Sequence, residues 1–339
     1  MIHGARRTSM AARPVFVGSA RLGSARRLAA LVLSAMAVIA LAGCAGGSRA
    51  RELTGDLMTH DPALAVEDGT SYVYSTGNAT IADGNIQIRS SDDGRHWRYR
   101  GEVWEEKPDW LDEAVPGVSN LWAPELIEHD GTWYLYYSAS TFGSNASVIA
   151  LATNETLDPD SPDYEWVDAG QVLASTKADD FNAIDAGIVV DEAGDPWMSF
   201  GSFWSGIRMV PLEWPGGGRA DASEPRHLAD RQSPPNAVEA PYIVARDGDY
   251  FLFVSRDACC QGLDSTYNIA VGRSEAVDGP YLDRDGVPLV EGDRIGPGGQ
   301  SVQGDTLALH YYDRRLNGSF QLALVELEWD AEGWPVAHW

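Results

Sequence analysis

The sequence predicts an all-β protein, a five-bladed β-propeller, because five hairpin-like stretches recur at near-regular spacing. The clearest covers residues 238–255, which begin with a carboxylate, run through apolar residues, turn at Asp247-Gly248 and return through alternating aromatic residues. An Asp-Gly pair between two such runs is typical of a two-residue hairpin turn. The other four stretches follow the same pattern and begin at Asp61, Trp122, Asp185 and Gly298.

The spacing of these stretches indicates repeated units. The markers Asp61, Glu125, Asp185, Glu239 and Gly299 are separated by 64, 60, 54 and 60 residues. A period of this size, with several short strands per unit, is typical of propeller blades. Five blades place the first parts of five innermost strands, here called strand mouths, around one axis. Four of these strand mouths carry a carboxylate. Because neighbouring carboxylates repel one another, this ring predicts a functional site.

Additional strands complete each predicted blade. Third strands are expected at residues 85–91, 147–153 and 268–274. The outer strands that follow them carry Trp97, Trp166 and Tyr281. We find no convincing helical period in the chain. Most of the 12 Trp and 13 Tyr are expected to pack between blades, since aromatic residues favour strands.

The first 43 residues are predicted to be a signal peptide. They hold six Arg and no acidic residue, and an apolar run at residues 28–42 leads to Leu41-Ala-Gly-Cys44, the pattern of an exported precursor. Leu-Ala-Gly-Cys resembles the lipobox of bacterial lipoproteins, in which the Cys is acylated; ordinary secretion is the alternative. We therefore predict a signal peptide over residues 1–43, a lipid anchor at Cys44, a tether over 44–57 and one catalytic domain over 58–339.

Charge excludes several classes of partner. The first 43 residues hold six of the 25 Lys and Arg and none of the 50 Asp and Glu, so the remainder carries a net charge of −31. Such an acidic surface disfavours nucleic acid and anionic membranes as partners. It is compatible with a neutral, hydroxyl-rich ligand. We expect a monomer that contacts a membrane only through a lipid at Cys44.

Two adjacent cysteines, Cys259 and Cys260, follow Cys44 in the chain. A disulfide between neighbours is possible but strained, whereas two reduced thiols are uncommon in an exported protein. Two cysteines do not form a zinc site by themselves. Neither state indicates catalysis.

Paired carboxylates are the chemical groups needed for glycoside hydrolysis, one protonated and one ionised. Close acids raise the pKa of at least one of them, as a general acid at neutral pH requires. Asp61, Glu125, Asp185 and Glu239 are the candidates, and for each the alternative is a structural hydrogen bond. The residues alone do not assign roles among the four.

Eight motifs, taken in order, resemble family 43 of the glycoside hydrolases. They are His60-Asp-Pro, Trp122-Ala-Pro-Glu-Leu, Asn182-Ala-Ile-Asp185, Gly201-Ser-Phe-Trp-Ser-Gly-Ile207, Val238-Glu-Ala-Pro, Ser265-Thr-Tyr-Asn-Ile-Ala-Val-Gly-Arg-Ser274, Gly279-Pro-Tyr and Trp329-Asp-Ala-Glu-Gly-Trp-Pro335. Within this family the chain is most similar to endo-1,5-α-L-arabinanases. The resemblance covers about residues 58–335.

The resemblance implies a five-bladed propeller and an inverting mechanism. Asp61 would be the general base, Glu239 the general acid, and Asp185 the residue that raises the pKa of Glu239 and orients it. An inverting enzyme needs its base and acid roughly 6.5 to 9.5 Å apart to admit a water. Glu125 receives no catalytic role and is expected to be structural or to accept a sugar hydroxyl.

The same resemblance implies a set of substrate contacts. Expected contacts are Asn182, Ser202, Phe203, Trp204, Trp122 and Phe142. Trp204 is the aromatic residue we favour most, because its segment lies outside any alternating core pattern.

A calcium ion on the axis, held by one His and waters, is also implied. Where the family often reads Gly-Pro-Gly-His, this chain has Gly299 and then Gln300. If the calcium ligand is the His of that motif, Gln300 or a water would have to substitute for it. If the ligand is the His of the following Leu-His-Tyr-Tyr-Asp, His310 retains it, although a lone His on a strand is more often a core residue. One imidazole is an unusual calcium site, since that ion prefers six to eight oxygen ligands.

The sequence therefore predicts a hydrolase that cuts α-1,5-linked arabinan internally. The alternatives are an exo-acting arabinofuranosidase, a β-xylosidase, or a non-catalytic arabinan-binding lipoprotein. Whether loops block one end of the cleft decides between endo and exo action, and the sequence does not show those loops.

Overall fold

The computed structural model describes residues 51–338 except 285, 287 and 291–293. In this part of the chain the strands form one five-stranded and four four-stranded sheets, which confirms the predicted five-bladed propeller. The predicted signal peptide, Cys44 and the first part of the tether lie outside the described residues. Among the residues described, no helix is long and apolar enough to cross a membrane.

Each sheet is built from consecutive stretches of chain. The first contains β1 Thr54–Gly55, β2 Ala63–Glu67, β3 Thr70–Ser75, β4 Gln87–Ser91 and β5 His96–Glu102. The second contains β6 Leu121–His129, β7 Thr132–Ala139, β8 Ser147–Asn154 and β9 Val167–Ser175. The third contains β10 Gly187–Val190, β11 Pro196–Phe200, β12 Ile207–Pro211 and β13 Arg226–Ala229.

The last two sheets complete the ring. The fourth contains β14 Val238–Arg246, β15 Asp249–Arg256, β16 Asn268–Ser274 and β17 Leu282–Asp283. The fifth contains β18 Ile295–Gln303, β19 Thr306–Asp313, β20 Ser319–Trp329 and β21 Pro335–His338. In all five sheets the strands from β2 onward are neighbours in chain order, so each blade is a simple meander.

Short helical turns interrupt the strands. They are the helix α1 Trp110–Ala114 and the 3₁₀ turns Gly262–Asp264 and Arg314–Leu316. The sequence predicted no helix, which is wrong for α1, because five residues are too few for a helical period to stand out.

The propeller begins earlier than predicted. Thr54–Gly55 lie inside the predicted tether, yet they pair in parallel with His96 and Trp97 of the outermost strand of the first blade. The backbone N–H of Leu322 also donates to the carbonyl of Leu57 at 2.8 Å. This part of the predicted tether is therefore folded onto the first and last blades.

The hairpin turns explain why the pattern was visible in the sequence. Asp247 and Gly248 join β14 to β15 with φ of 51° and 86°. Asp130 and Gly131 join β6 to β7 in the same way, with φ of 50° and 79°. Two consecutive residues with positive φ make the turn that matches the twist of a hairpin, and Asp-Gly tolerates this geometry well.

The core lies between blades. Along β7, Leu135 packs toward the first sheet and Tyr136 toward the third, because successive side chains of a strand point to opposite faces. Five apolar clusters arise in this way, one at each junction between neighbouring sheets. The cluster that contains Leu64 of β2 and Leu324 of β20 joins the last sheet to the first and closes the ring.

Candidate active site

The five strand mouths share one backbone feature. Each innermost strand has a residue with positive φ within it or shortly before it. Asp61 (50°) and Asp185 (60°) lie two residues before their strands begin, whereas Ala123 (36°), Ala240 (50°) and Gly299 (57°) lie within their strands. In β6, β14 and β18 the pairing register also shifts at this point. Bulges of this kind bend a strand and redirect its side chains, and they are common beside active sites.

We call these five positive-φ residues kinks. The four acids are not equivalent, because they lie at different positions relative to the kinks. Asp61 and Asp185 are the kinked residues themselves, Glu239 precedes its kink by one residue, and Glu125 follows its kink by two. The five kinks surround a small axial cavity of about 30 Å³. Asp61, Asp185 and Glu125 line it, as does Ala240, the neighbour of Glu239.

Asp61 lies in a setting that favours its charged form. Its Oδ2 accepts hydrogen bonds from Thr76 Oγ1 at 2.6 Å and from His60 Nδ1 at 2.8 Å, and its Oδ1 is 3.5 Å from Nδ1 of His310. Burial raises the pKa of Asp61, but the attraction and hydrogen bond of His60, with smaller effects of His310 and Thr76, lower it to about 2. The predicted base is therefore ionised at neutral pH.

Glu239 has the opposite tendency. Its side chain is buried, Oε2 accepts from Ser202 Oγ at 2.6 Å and Oε1 from the Tyr267 hydroxyl at 2.8 Å. Burial raises the pKa of Glu239, and repulsion from Asp61 adds to this effect. The two hydroxyl donors and the His60 imidazole lower the pKa, but burial outweighs them. The predicted acid thus holds its proton to higher pH than an exposed Glu.

Asp185 is coupled to both acids. Its Oδ2 accepts the backbone N–H of Ala240 at 3.1 Å, and its own N–H donates to Ser138 Oγ at 3.0 Å. Burial, followed by repulsion from Glu239 and then from Asp61, raises the pKa of Asp185 well above its usual range. Asp185 and Glu239 share a site that resists two negative charges, so the pair retains a proton to higher pH than two isolated carboxyl groups would.

Glu125 lines the same axial cavity but differs from the other acids in its surroundings. It is 4% exposed, and its carboxyl group accepts a backbone hydrogen bond from Ile188. Burial raises its pKa well above the usual range. A buried carboxyl group whose neutral form is favoured fits a structural role for Glu125 better than the role of an exposed sugar-hydroxyl acceptor.

Two predicted substrate contacts point into the protein. Ser202 is buried and donates to Glu239, so its hydroxyl serves the predicted acid directly. Asn182 is also buried, and its side-chain oxygen accepts from Ser147 Oγ at 2.7 Å. In this structure these two residues contact protein groups rather than an open surface.

The predicted aromatic contacts are more accessible. Phe142 is 85% exposed and Trp204 is 39% exposed, while Phe203 and Trp122 are half-buried. Phe203 and Trp204 both have positive φ, 53° and 35°, which is uncommon for bulky residues and typical of functional segments. A large apolar side chain exposed to this degree is available to a ligand.

The contacts of His310 are compatible with its predicted role as a metal ligand. The ring is fully buried, and Nδ1 accepts the backbone N–H of Asp61 at 3.2 Å. Nε2 has no hydrogen-bond partner among the described residues. Burial, and then repulsion from His60, lower the pKa of His310 well below its usual range, so the imidazole is neutral. A neutral, buried ring with one unpartnered nitrogen fits a single-imidazole ligand whose other ligands are waters.

Sequence reasoning missed three residues that act on the acids. His60 lay inside a quoted motif, and Tyr267 lay in the Ser265 motif, but neither was given a role. Thr76, which donates to Asp61, directly follows β3 and carried no signal at all. Proximity to Asp61 or Glu239 in sequence would have found only His60.

A second cavity adjoins the site. It has a volume of about 420 Å³, and its lining includes Ser265, Tyr267 and Asn268. None of the described residues in its lining is acidic. Although this cavity is larger than the axial one, we place the chemistry at the axis, because the acids with displaced pKa values lie there.

A propeller whose axis carries one ionised carboxylate and one proton-retaining carboxyl group has the groups required of a glycoside hydrolase. Comparison with known proteins agrees. The model of the glycosyl hydrolases family 43 matches residues 54–335. The chain therefore belongs to this family.

Relatives within the family are similar over most of their length. The extracellular exo-α-(1→5)-L-arabinofuranosidase ArbA of Cellvibrio japonicus is 39% identical over 81% of this chain and 85% of its own length. The extracellular endo-α-(1→5)-L-arabinanase 1 of Bacillus subtilis is 36% identical over 82% and 87%. The solved structure of an endo-arabinanase from Bacillus licheniformis superposes with a TM-score of 0.78 at 38% identity, covering 84% of this chain and 99% of that one.

Proposed function

We propose that this chain cuts α-1,5-linked L-arabinofuranosyl bonds within arabinan, with inversion of configuration. The observation that carries the proposal is the opposite displacement of two pKa values on one axis: the pKa of Asp61 is lowered to about 2, whereas that of Glu239 is raised. Relatives named for α-(1→5)-L-arabinan linkages supply the substrate class.

Each acid then has one task. Asp61, already ionised, accepts a proton from the water that attacks the anomeric carbon. Glu239, protonated, donates its proton to the oxygen of the departing sugar as the glycosidic bond breaks. Asp185 lies against the Glu239 segment and, by repulsion, favours retention of one proton by the pair.

Phe142 and Trp204 are the proposed sugar platforms. Their exposed rings offer apolar faces, and the C–H faces of furanose rings are apolar in turn. Trp122 and Phe203 would support them, and Asn182 would hold the loop that leads to Asp185.

Exo action is the second candidate, because one relative with 39% identity is named an exo-enzyme. Linear arabinan digested with purified protein separates the two candidates. We expect a spread of oligosaccharides early in the reaction, as endo cleavage produces. Release of arabinose alone would favour the exo candidate. Release of xylose from xylo-oligosaccharides, and of nothing else, would indicate a β-xylosidase. Binding of arabinan without any products would indicate the arabinan-binding lipoprotein.

For the metal, we propose that His310 is the protein ligand of a calcium ion on the axis. The unpartnered Nε2 of His310 supports this proposal. A bound calcium would add positive charge close to the acid ring. Metal analysis before and after mild chelation tests it: absence of calcium together with undiminished activity would remove the ion.

For location, we propose export and attachment to a membrane by a lipid on Cys44, with a monomeric catalytic domain. Two relatives are named extracellular, and Leu41-Ala-Gly-Cys44 matches a lipobox. Cell fractionation tests the anchor: Cys44→Ala should move the activity from the membrane fraction to the soluble fraction. Size-exclusion chromatography of the released protein tests the monomer.

A further inference from the structure

A disulfide between neighbouring residues lies against His60, the residue that precedes Asp61 in the chain. Cys259 and Cys260, left open as bridged or reduced by the sequence, are bridged in the structure. We propose that this disulfide is a positioning element for the general base, acting through Tyr312 and His60. The inference rests on the proposed role of Asp61 and adds to it the residues that hold its carboxylate in place.

A continuous hydrogen-bond chain links the disulfide to Asp61. The backbone N–H of Cys260 donates to the Tyr312 hydroxyl at 2.7 Å, and this hydroxyl lies 3.2 Å from Nε2 of His60. On the other side of the ring, Nδ1 of His60 lies 2.8 Å from Oδ2 of Asp61.

The Cys260 N–H sets the direction of the hydrogen bonds that follow it. Because a backbone N–H can only donate, the Tyr312 oxygen accepts from Cys260 and its own proton is available to Nε2 of His60. When this proton is donated to Nε2, the neutral tautomer of His60 carries its own proton on Nδ1, where it faces the Asp61 carboxylate. Loss of the backbone N–H donor would leave Ser265 as a competing partner of the Tyr312 hydroxyl, so the hydroxyl proton would no longer be directed to His60 and the tautomer of His60 would be unspecified.

The packing around His60 does not by itself fix the orientation of its ring, so the hydrogen bonds at its two nitrogens are needed. Its ring stacks on His310 with centroids 3.7 Å apart and meets Phe320 edge-on at 5.1 Å. Such packing fixes the plane of the ring but permits either of the two orientations that a 180° rotation about the Cβ–Cγ bond interconverts. The hydrogen bonds at its two nitrogens, to Tyr312 and Asp61, oppose that rotation.

The disulfide explains why the Cys260 N–H points at Tyr312. Cys260 has φ of 66°, a left-handed conformation that residues other than Gly seldom adopt unless their surroundings impose it. A bond between adjacent side chains closes a small ring that restricts the backbone of both residues. Once the bond is opened, Cys260 regains the extended conformations that non-Gly residues prefer, and its N–H turns away.

The rest of the loop is held independently. The N–H of Thr266 donates to the carbonyl of Ala258 at 2.9 Å, and the N–H of Gln261 donates to Ser265 Oγ at 3.0 Å. Opening the disulfide should therefore change the local direction of Cys260 without unfolding the loop. Cys260 is exposed, with Sγ 3.9 Å from Nε2 of His60, so a soluble reductant can reach the bond.

The test compares the oxidised and reduced full-length protein on linear arabinan. Tris(2-carboxyethyl)phosphine converts the disulfide to two thiols, and iodoacetamide labelling with mass spectrometry confirms the state of Cys259 and Cys260. We expect kcat to fall about tenfold on reduction, with KM nearly unchanged and recovery on reoxidation, because a displaced base acts on the chemical step. The double variant Cys259→Ser/Cys260→Ser should match the reduced enzyme and ignore the reductant, which also controls for Cys44.

Tyr312→Phe separates positioning from a merely structural effect. If the disulfide acts through the Tyr312 hydroxyl, combining this variant with the double serine variant should lower kcat no further than the larger single effect. The proposal would be overturned if the kcat effects of Tyr312→Phe and of the double serine variant multiplied when combined. An unchanged kcat on reduction would also overturn it, as would two free thiols in the untreated protein. Should the serine variants fail to fold, reduction of the native and Tyr312→Phe proteins gives the same comparison. An oxidised enzyme without any activity on arabinan would instead contradict the proposed function.

Discussion

Ser202 donates its hydroxyl to Oε2 of Glu239 at 2.6 Å, although 37 residues separate the two in the chain. On the other side of the same carboxyl group, Tyr267 donates to Oε1 at 2.8 Å. Both donors stabilise the charged form of Glu239, so both lower a pKa that burial raises. The general acid is therefore tuned from two sides, and each side can be removed separately.

The first prediction concerns the pH dependence of kcat/KM in Ser202→Ala. A general acid must be protonated, so activity is lost as pH rises through its pKa. Removing a donor to the charged form raises the pKa of Glu239, which moves the alkaline limb to higher pH. Tyr267→Phe should move it in the same direction. Ser199→Ala is the control, since that buried hydroxyl bonds the Gly187 carbonyl instead. A shift of the limb to lower pH would contradict the assignment of Glu239.

The second prediction concerns the acids themselves. Asp61→Asn and Glu239→Gln should each remain folded and lose about a thousandfold in kcat on arabinan, the scale of general acid or base catalysis. Glu125→Gln is the matched control from the same ring and should retain kcat within about threefold, since burial favours the neutral form of Glu125 and Gln has the same shape. Circular dichroism confirms folding. Substantial turnover by either catalytic variant would remove that residue from the mechanism.

The sequence predicted the propeller well, because Asp-Gly turns and alternating strands are local signals. It also led to Asp61 and Glu239 through short motifs. It treated the four acids as equivalent positions of their strands, which is wrong. The kinks at Ala123 and Ala240 change the direction of the side chains without changing the order of residues in the sequence. Thr76 could not be predicted, since its contact with Asp61 depends on how two strand ends meet in space.

The third prediction concerns Gly299, where the family often has His. A Cβ at this position would lie 2.2 Å from Oδ1 of Asp61 and 2.8 Å from Nδ1 of His310. Gly299→Ala should therefore displace the base and lower kcat by at least about tenfold. Gly304→Ala is a close control, because Gly304 has almost the same φ, 59°, and nothing within 4 Å of the added atom.

The control isolates the clash from backbone strain. Gly304→Ala should cost about 1 kcal/mol of unfolding free energy, the usual cost of a left-handed conformation, and leave kcat unchanged. Gly299→Ala adds the steric contact to the same strain. Equal kcat in the two variants would mean that Asp61 does not depend on the space beside Gly299. Denaturant unfolding and steady-state kinetics supply both measurements.

The fourth prediction concerns the exposed aromatic residues. Phe142→Ala and Trp204→Ala should each raise KM for arabino-oligosaccharides by roughly three- to tenfold, the scale of one aromatic contact. If the rings bind ground state and transition state alike, kcat should change little. Leu282→Ala is the control, since Leu282 is 68% exposed but lies on the outermost strand of the fourth blade. Unchanged KM in both aromatic variants would place the sugar elsewhere.

The last prediction concerns the stability of Glu125→Gln as a function of pH. Burial raises the pKa of Glu125 in the folded protein well above its ordinary value of 4.5. Above pH 4.5 the unfolded chain loses this proton while the folded protein keeps it, so rising pH favours unfolding up to the folded pKa. Gln does not titrate, and its oxygen can still accept the N–H of Ile188. The melting temperature of the variant should therefore equal or fall slightly below that of the native protein near pH 4, and exceed it increasingly as the pH rises above 4.5 toward the pKa of Glu125 in the folded protein. Parallel melting curves across that range would show that Glu125 is ionised in the folded protein, and that the axial cavity holds a charge there.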